Sequence, residues 1–241
     1  MYQYYDKKKN PLHEIALVSF TLGAVIGCCI ILVVSETCTE HSQLLIYCTI
    51  ICIYYLNEFL TTSLFQPSRT SSKLFLIYGN KGNKEFFMVQ LITVWEFLLK
   101  RSIFFSGFIT YSRSWYLICS GFLLIVIGFF MRTLAMATCG ESFSHIIITE
   151  KENRTKLITT GIYGWFRHPS YLGFWLFSIG CQLFLENSLS LVVTIISLGY
   201  FFKVRIEFEE WFLINRMFGD EYLEYKLRVG VWIPFVVLKE R

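Results

Sequence analysis

The chain has 241 residues, of which 54% are hydrophobic, 18% aromatic and only 17% charged, with a net charge of +4 and a mean hydropathy of +0.50. Soluble domains carry roughly 25% charged and 45–50% apolar residues. Both departures therefore point to an integral membrane protein, and away from a disordered, fibrous or ordinary cytosolic one.

Met1 to Asn10 is polar and basic, with Lys7, Lys8 and Lys9. Ile15 to Val34 then carries no charge and, at 1.5 Å per helical residue, spans about 30 Å, the thickness of the hydrocarbon layer. It exceeds a signal-peptide core of about 7–15 residues. Ser35-Glu36-Thr37 is no cleavage site, so the stretch reads as a first transmembrane helix. Gln43 to Leu60 is the second span, interrupted by Glu58, and Phe86 to Phe104 the third, carrying Glu96, Lys100 and Arg101. Ser114 to Met131 is the fourth, bounded by Arg113 and Arg132. Pro169 to Leu185 and Leu189 to Phe202 are the fifth and sixth, parted only by Glu186, Asn187 and Ser188, which predicts a tight hairpin. Both are short for full spans and suit tilted or partial insertion. Six spans put both termini on one side. Lys7 to Lys9, with Arg69, Lys73, Lys81 and Lys84 in the second loop, make that side the cytosol. Lys100, Arg101 and Arg113 border a loop that this topology places in the lumen, against the charge rule.

The eight cysteines lie mostly in apolar runs, where Cys behaves as a small hydrophobe. There is no C-x-x-C pair, and four scattered His give no metal site. No basic run is long enough, or interleaved with enough aromatics, to suggest nucleic acid. Glu58 and Glu96 are candidates because ionisable groups within spans tend to be functional; the plainer reading is that both are solvated near an interface.

Polar residues concentrate in two blocks, Arg132 to His168 and Lys203 to Arg228, which the hairpin 169–202 brings to one membrane face. Residues 1–131 thus read as four spans with short loops, and 132–241 as the region where a catalytic or binding site would most economically lie. Pro169 suits the first turn of a helix. It leaves Arg167 and His168 beside a helix N-terminus, which favours an anion. Tyr163, Trp165, Phe166 and Tyr171 offer π faces that attract a cation such as a sulfonium. An interfacial aromatic belt explains the same composition. Arg205 and Glu209 share a helix face at i, i+4. The plain reading is a salt bridge worth about 0.2–0.5 kcal/mol; the functional one is a carboxylate clamp beside an acid for a cationic group.

The segments Thr155 to Gly173 and Arg205 to Glu210 closely resemble the isoprenylcysteine carboxyl methyltransferases of the endoplasmic reticulum. So do Asn10-Pro11-Leu12-His13-Glu14, Ser142-Phe143-Ser144-His145 and Phe218 to Lys226. The resemblance covers nearly the whole chain, at the length and six-span layout of the fungal members. R-H-P-S-Y-x-G alone has relatives in phospholipid methyltransferases and sterol reductases; its combination with the terminal segments is far more specific. The resemblance implies an all-α membrane enzyme with a cytosolic cofactor pocket in its C-terminal half, not a Rossmann fold. It implies S-adenosyl-L-methionine as methyl donor and a C-terminal S-farnesyl or S-geranylgeranyl cysteine of C-a-a-X-processed proteins as acceptor. Ras-like GTPases and a fungal lipopeptide mating pheromone are substrates of that kind. Carried over by motif, cofactor contacts fall on Ile148, Thr155, Lys156, Leu157, Ile158, Tyr163, His168, Pro169, Ser170, Tyr171 and Glu209, and the substrate carboxylate on Arg205. Ile148 stands where family members can have Gln, which removes a side-chain hydrogen bond and leaves a backbone or van der Waals contact.

The chemistry suits these residues. An α-carboxylate has a pKa of about 3.3–3.7 and is already ionised at neutral pH, so methyl transfer to it needs no general base. A phospholipid N-methyltransferase would need a base rather than an arginine clamp. A non-enzymatic membrane lipid-binding protein would not depend on the polar blocks.

Overall fold

The computed structural model describes residues 12–35, 41–67, 70–77, 83–105, 114–147 and 156–234. Among these are seven α-helices and no strand: α1 Leu12–Val34, α2 Ser42–Phe65, α3 Asn83–Phe105, α4 Trp115–Cys139, α5 Pro169–Phe184, α6 Ser188–Phe212 and α7 Asp220–Arg228. Four are long and apolar enough to cross a membrane: α1, α2, α4 and α6, the last with the wide turn that continues it to Phe218. That is four rather than the six expected. The difference lies in α3 and α5. Lys84, Glu85, Glu96, Lys100 and Arg101 charge α3 too heavily. The 16 residues of α5 reach about 24 Å, short of a ~30 Å hydrocarbon layer.

The chain divides into two compact units. The first comprises residues 1–118 and 184–190. In it α1 packs along α2, and a 3-10 turn, Ser72–Phe75, rests against both. Phe75 is fully buried and stacks on Phe59 with ring centres 4.3 Å apart. Ser72 Oγ donates to Glu14 Oε2 at 2.5 Å. Side chains around most of α1 are exposed yet apolar, Phe20 and Val34 at 75% each. An apolar surface on every side is what a helix solvated by lipid requires. Glu58 and Glu96 are both buried rather than solvated. Glu96 accepts from Leu189 N at 3.0 Å, Ser190 N at 2.6 Å and Ser190 Oγ at 2.6 Å, satisfying the open first turn of α6. Lys100 Nζ donates to Glu186 O at 2.5 Å and Asn187 Nδ2 to Thr93 O at 2.9 Å. The turn between α5 and α6, Leu185 to Asn187, is thereby bonded to α3.

The second unit comprises residues 119–183 and 191–241. Here α4 and α5 run antiparallel in close contact through glycines. A Cβ on Gly173 would lie 2.7 Å from both Arg132 N and Gly128 O, and one on Gly128 would lie 2.4 Å from Phe177 N. Small residues let membrane helices approach this closely. Arg132 is buried against the same interface, where its guanidinium donates to Ser170 Oγ at 3.0 Å and lies over the Phe174 ring. On the other side of α5, Tyr171, Phe174 and Trp175 pack on Phe202 of α6. Val231 and Ile233, beyond α7, complete that core with Leu172 and Ile206. After Phe212, α6 widens into a π-helical turn, Leu213–Phe218, and ends at Gly219, whose φ of 57° suits a residue without Cβ.

Candidate functional site

The site lies within the second unit, where the residues before and inside α5 meet the C-terminal end of α6. Pro169 is the first residue of α5, as its fixed φ dictates. Gly161, at φ 60°, opens the 3-10 turn that presents Tyr163. The two polar blocks come together around α6 residues 205, 209 and 210.

Glu210 is the anchor. Its carboxylate is buried and meets Arg167 Nε at 2.9 Å, His168 Nε2 at 3.2 Å and Lys226 Nζ at 3.0 Å. Arg167 also donates from its guanidinium to Lys226 O at 3.0 Å and Val229 O at 2.5 Å, and from its backbone N to Gly230 O at 2.9 Å. Arg167 and His168 thus bind the chain to itself.

Arg205 and Glu209 form no direct ion pair. Tyr171 Oη stands between them: it donates to Glu209 Oε2 at 2.6 Å and accepts from Arg205 Nε at 2.8 Å. A second guanidinium nitrogen of Arg205 donates to His145 O at 2.6 Å, and the group lies over the rings of Tyr171 and Phe201. The Tyr171 ring is stacked between His168 and Phe202, with centre distances of 5.4 and 5.2 Å. Arg205 and Glu209 therefore each have a neutral phenol as partner and no counter-ion among the described residues. The i, i+4 salt bridge open to them on one helix face is not what they make.

Beside this array is a cavity of about 830 Å³, counted to its open mouth. Lys156, Leu157, Ile158, Tyr163, His168, Pro169, Ser170, Tyr171 and Glu209 all line it. Its remaining wall includes Ser142 and Phe143 from the turn after α4, and Leu213, Met217 and Phe218 from the π-helical turn. Burial holds the Tyr163 phenol well above its ordinary pKa and pushes that of Tyr225 up to about 12. Both are neutral donors at physiological pH, and Tyr225 Oη donates to Tyr163 O at 2.7 Å. Among the described residues no group of three or more His, Cys, Asp or Glu could hold a metal.

The family model for isoprenylcysteine carboxyl methyltransferase matches residues 121–215, which carry most of this array. The chain is 39% identical over 238 residues to the protein-S-isoprenylcysteine O-methyltransferase of Saccharomyces cerevisiae, covering 98% of this chain and 96% of that one. The chain belongs to the isoprenylcysteine carboxyl methyltransferase family. The human protein-S-isoprenylcysteine O-methyltransferase is 35% identical over 228 residues, 95% of this chain and 77% of its own. The solved structure of the eukaryotic intramembrane Ras methyltransferase superposes with a TM-score of 0.83 at 28% identity, over 94% of this chain and 78% of that one.

In this member of the family, every sequence-predicted cofactor residue within the described segments borders one cavity. Ile148 and Thr155 lie outside those segments, as do Asn10 and Pro11 of the N-terminal motif. Arg205 does not line the cavity and joins it through Tyr171. Sequence reasoning missed Glu210, the His145 carbonyl and the π-helical wall. A second acid directly after Glu209 was the available sign of Glu210. A backbone carbonyl and a wide helical turn leave no sign in residue type.

Proposed function

We propose that this protein transfers a methyl group to the C-terminal carboxylate of an S-farnesyl or S-geranylgeranyl cysteine on C-a-a-X-processed proteins, giving a methyl ester. The carrying observation is the Arg205–Tyr171–Glu209 array, in which two opposite charges share one neutral phenol and neither has a counter-ion among the described residues. One charge suits an anionic acceptor, the other a cationic donor. Family membership supports a prenylcysteine as that acceptor.

S-adenosyl-L-methionine supplies, when bound, a methyl group on a sulfonium. The cavity suits such a molecule: it joins a carboxylate, aromatic faces and a helix N-terminus that favours a carboxylate group. Glu209 engages the donor's positive charge. Tyr163 and Tyr171 present their π faces, and Lys156, Leu157 and Ile158 wall the cavity beside His168, Pro169 and Ser170. Thr155 and Ile148 take part on the strength of the resemblance. Arg205 holds the acceptor carboxylate, whose ionised state removes any need for a base. Catalysis then comes mainly from positioning, worth up to about 7–11 kcal/mol when two reactants are held in line. The region 132–241 supplies all of these groups. The long apolar helices anchor them in the endoplasmic reticulum membrane, with both termini in the cytosol. Ras-like GTPases and a lipopeptide pheromone are the substrates this chemistry fits.

The test is methyl transfer from labelled S-adenosyl-L-methionine to N-acetyl-S-farnesylcysteine by the purified protein in detergent. Label released by base as methanol is expected, since an ester hydrolyses. Base-stable label would sink the ester reading and favour an N-methyltransferase.

A further inference from the structure

We infer that Tyr171 couples the acceptor and donor subsites, so that filling one tightens the other. This deepens the reading of Arg205 as the acceptor clamp and Glu209 as the donor contact, and rests on it. Tyr171 Oη accepts from Arg205 Nε at 2.8 Å and donates to Glu209 Oε2 at 2.6 Å. Its ring is fixed between His168 and Phe202, and the stack on His168 is within 3° of parallel. The ring stays in place while the hydroxyl proton is free to change partner.

Hydrogen bonds in series polarise one another. With no ligand present, the guanidinium draws electron density from the phenol oxygen and strengthens the bond from its proton to Glu209. A carboxylate arriving on Arg205 neutralises the guanidinium. The phenol then becomes a weaker donor and Glu209 is released to a cation more readily. In the other direction, a cation that takes Glu209 frees the phenol proton, which can swing to the carboxylate held on Arg205. Each ligand thus removes a competitor of the other. Arg205 is already held on its Nε side by Tyr171 and on another nitrogen by His145 O, so its remaining N–H groups are left for an acceptor with little freedom to lose. Tyr171 is on this account a positioning residue for the clamp in addition to bordering the donor cavity.

The experiment measures the dissociation constant of sinefungin, a donor analogue that carries a charged amine in place of the methylsulfonium and cannot react, on the full-length protein in detergent micelles, with and without saturating N-acetyl-S-farnesylcysteine. The wild type is expected to bind roughly fivefold more tightly when the acceptor is present, a coupling at the low end of the usual range. Sinefungin must tighten acceptor binding by the same factor. Tyr171→Phe keeps the ring and its stacking and loses only the hydroxyl, and it is expected to bring the factor close to one. A purely structural tyrosine would weaken both affinities and leave their ratio unchanged. That result, or a wild type with no coupling, overturns the proposal. Glu209→Gln offers a second route that keeps an oxygen for the phenol but removes the charge; its factor should also fall, and full retention counts against the proposal. The clamp reading fails separately: Arg205→Ala binding the acceptor as tightly as wild type would overturn it whatever Tyr171→Phe does.

Discussion

Removing the carboxylate of Glu210 should destabilise the protein by about 3–5 kcal/mol, the usual cost of breaking a buried ion pair from one side. The structure allows the figure to be narrowed. The side chains of Arg167 and Glu210 are 8% and 5% exposed, so Glu210→Ala strands a guanidinium with little access to water. Arg167 would keep its bonds to Lys226 O and Val229 O, which moves the expected loss to the lower end, about 3 kcal/mol. Lys226, the third partner at 3.0 Å, is 24% exposed and can turn to water. Lys226→Ala should therefore cost only about 0–1 kcal/mol, as exposed pairs do. The two variants form an internal comparison in reversible unfolding of the detergent-purified protein, in one buffer and one micelle. A double-mutant cycle with Arg167→Ala should give a coupling of about 0.5–3 kcal/mol, because the two side chains are in direct contact. The reasoning is refuted if Glu210→Ala costs no more than Lys226→Ala, for then the buried carboxylate is not what ties residues 167 and 168 to α6.

Three further substitutions and one control test the site and its scaffold. Arg205→Ala should lower turnover roughly 100-fold, the scale of a misplaced reactant, while sinefungin affinity changes far less. Glu209→Ala should instead weaken that affinity roughly 10- to 100-fold, the worth of a charge-assisted hydrogen bond; equal effects of the two on donor-side binding would count against the division of labour. Gly173→Ala should cost about 1–3 kcal/mol by overpacking, since the new methyl meets Arg132 N and Gly128 O at 2.7 Å. Gly27→Ala, with nothing within 4 Å of the new Cβ, is the matched control and should be neutral or slightly stabilising in thermal unfolding.

The helices were legible because bilayer length and lack of charge are written directly into the chain, as in α1 and α4. The harder elements were those whose charges serve another part of the fold. Lys100 contradicts the positive-inside pattern in the sequence. In the structure it donates to Glu186 O, so it is a ligand for a turn as well as a charge at a loop. Glu96 interrupts an apolar span, and its reason is the first turn of α6, 94 residues away. That turn carries donors that lipid cannot satisfy. No local pattern could have joined the two. The residues that line the cavity were legible through their motifs, whereas the partners that hold them were not. The sequence pattern offered Arg205 and Glu209 as a pair because both lie on one helix, and Tyr171 enters from another helix to separate them.

That separation explains why two adjacent carboxylates on α6 have different chemistry. Successive residues of a helix point about 100° apart, so Glu209 and Glu210 face different neighbours although they are alike in type and nearly alike in position. Glu210 faces Arg167, His168 and Lys226, and its charge is fully employed in closing the fold. Glu209 faces the Tyr171 hydroxyl, which solvates its charge without neutralising it. A carboxylate bonded to a neutral partner in a partly buried cavity remains attractive to a cation, because a low-dielectric surrounding strengthens the attraction. The same holds for Arg205, whose partners are a phenol and a carbonyl. Had either found an ionic partner within the chain, a ligand would first have to break it. Placing a neutral phenol between opposite charges one helical turn apart keeps both strong without letting them cancel, which is what a site for one cationic and one anionic reactant requires.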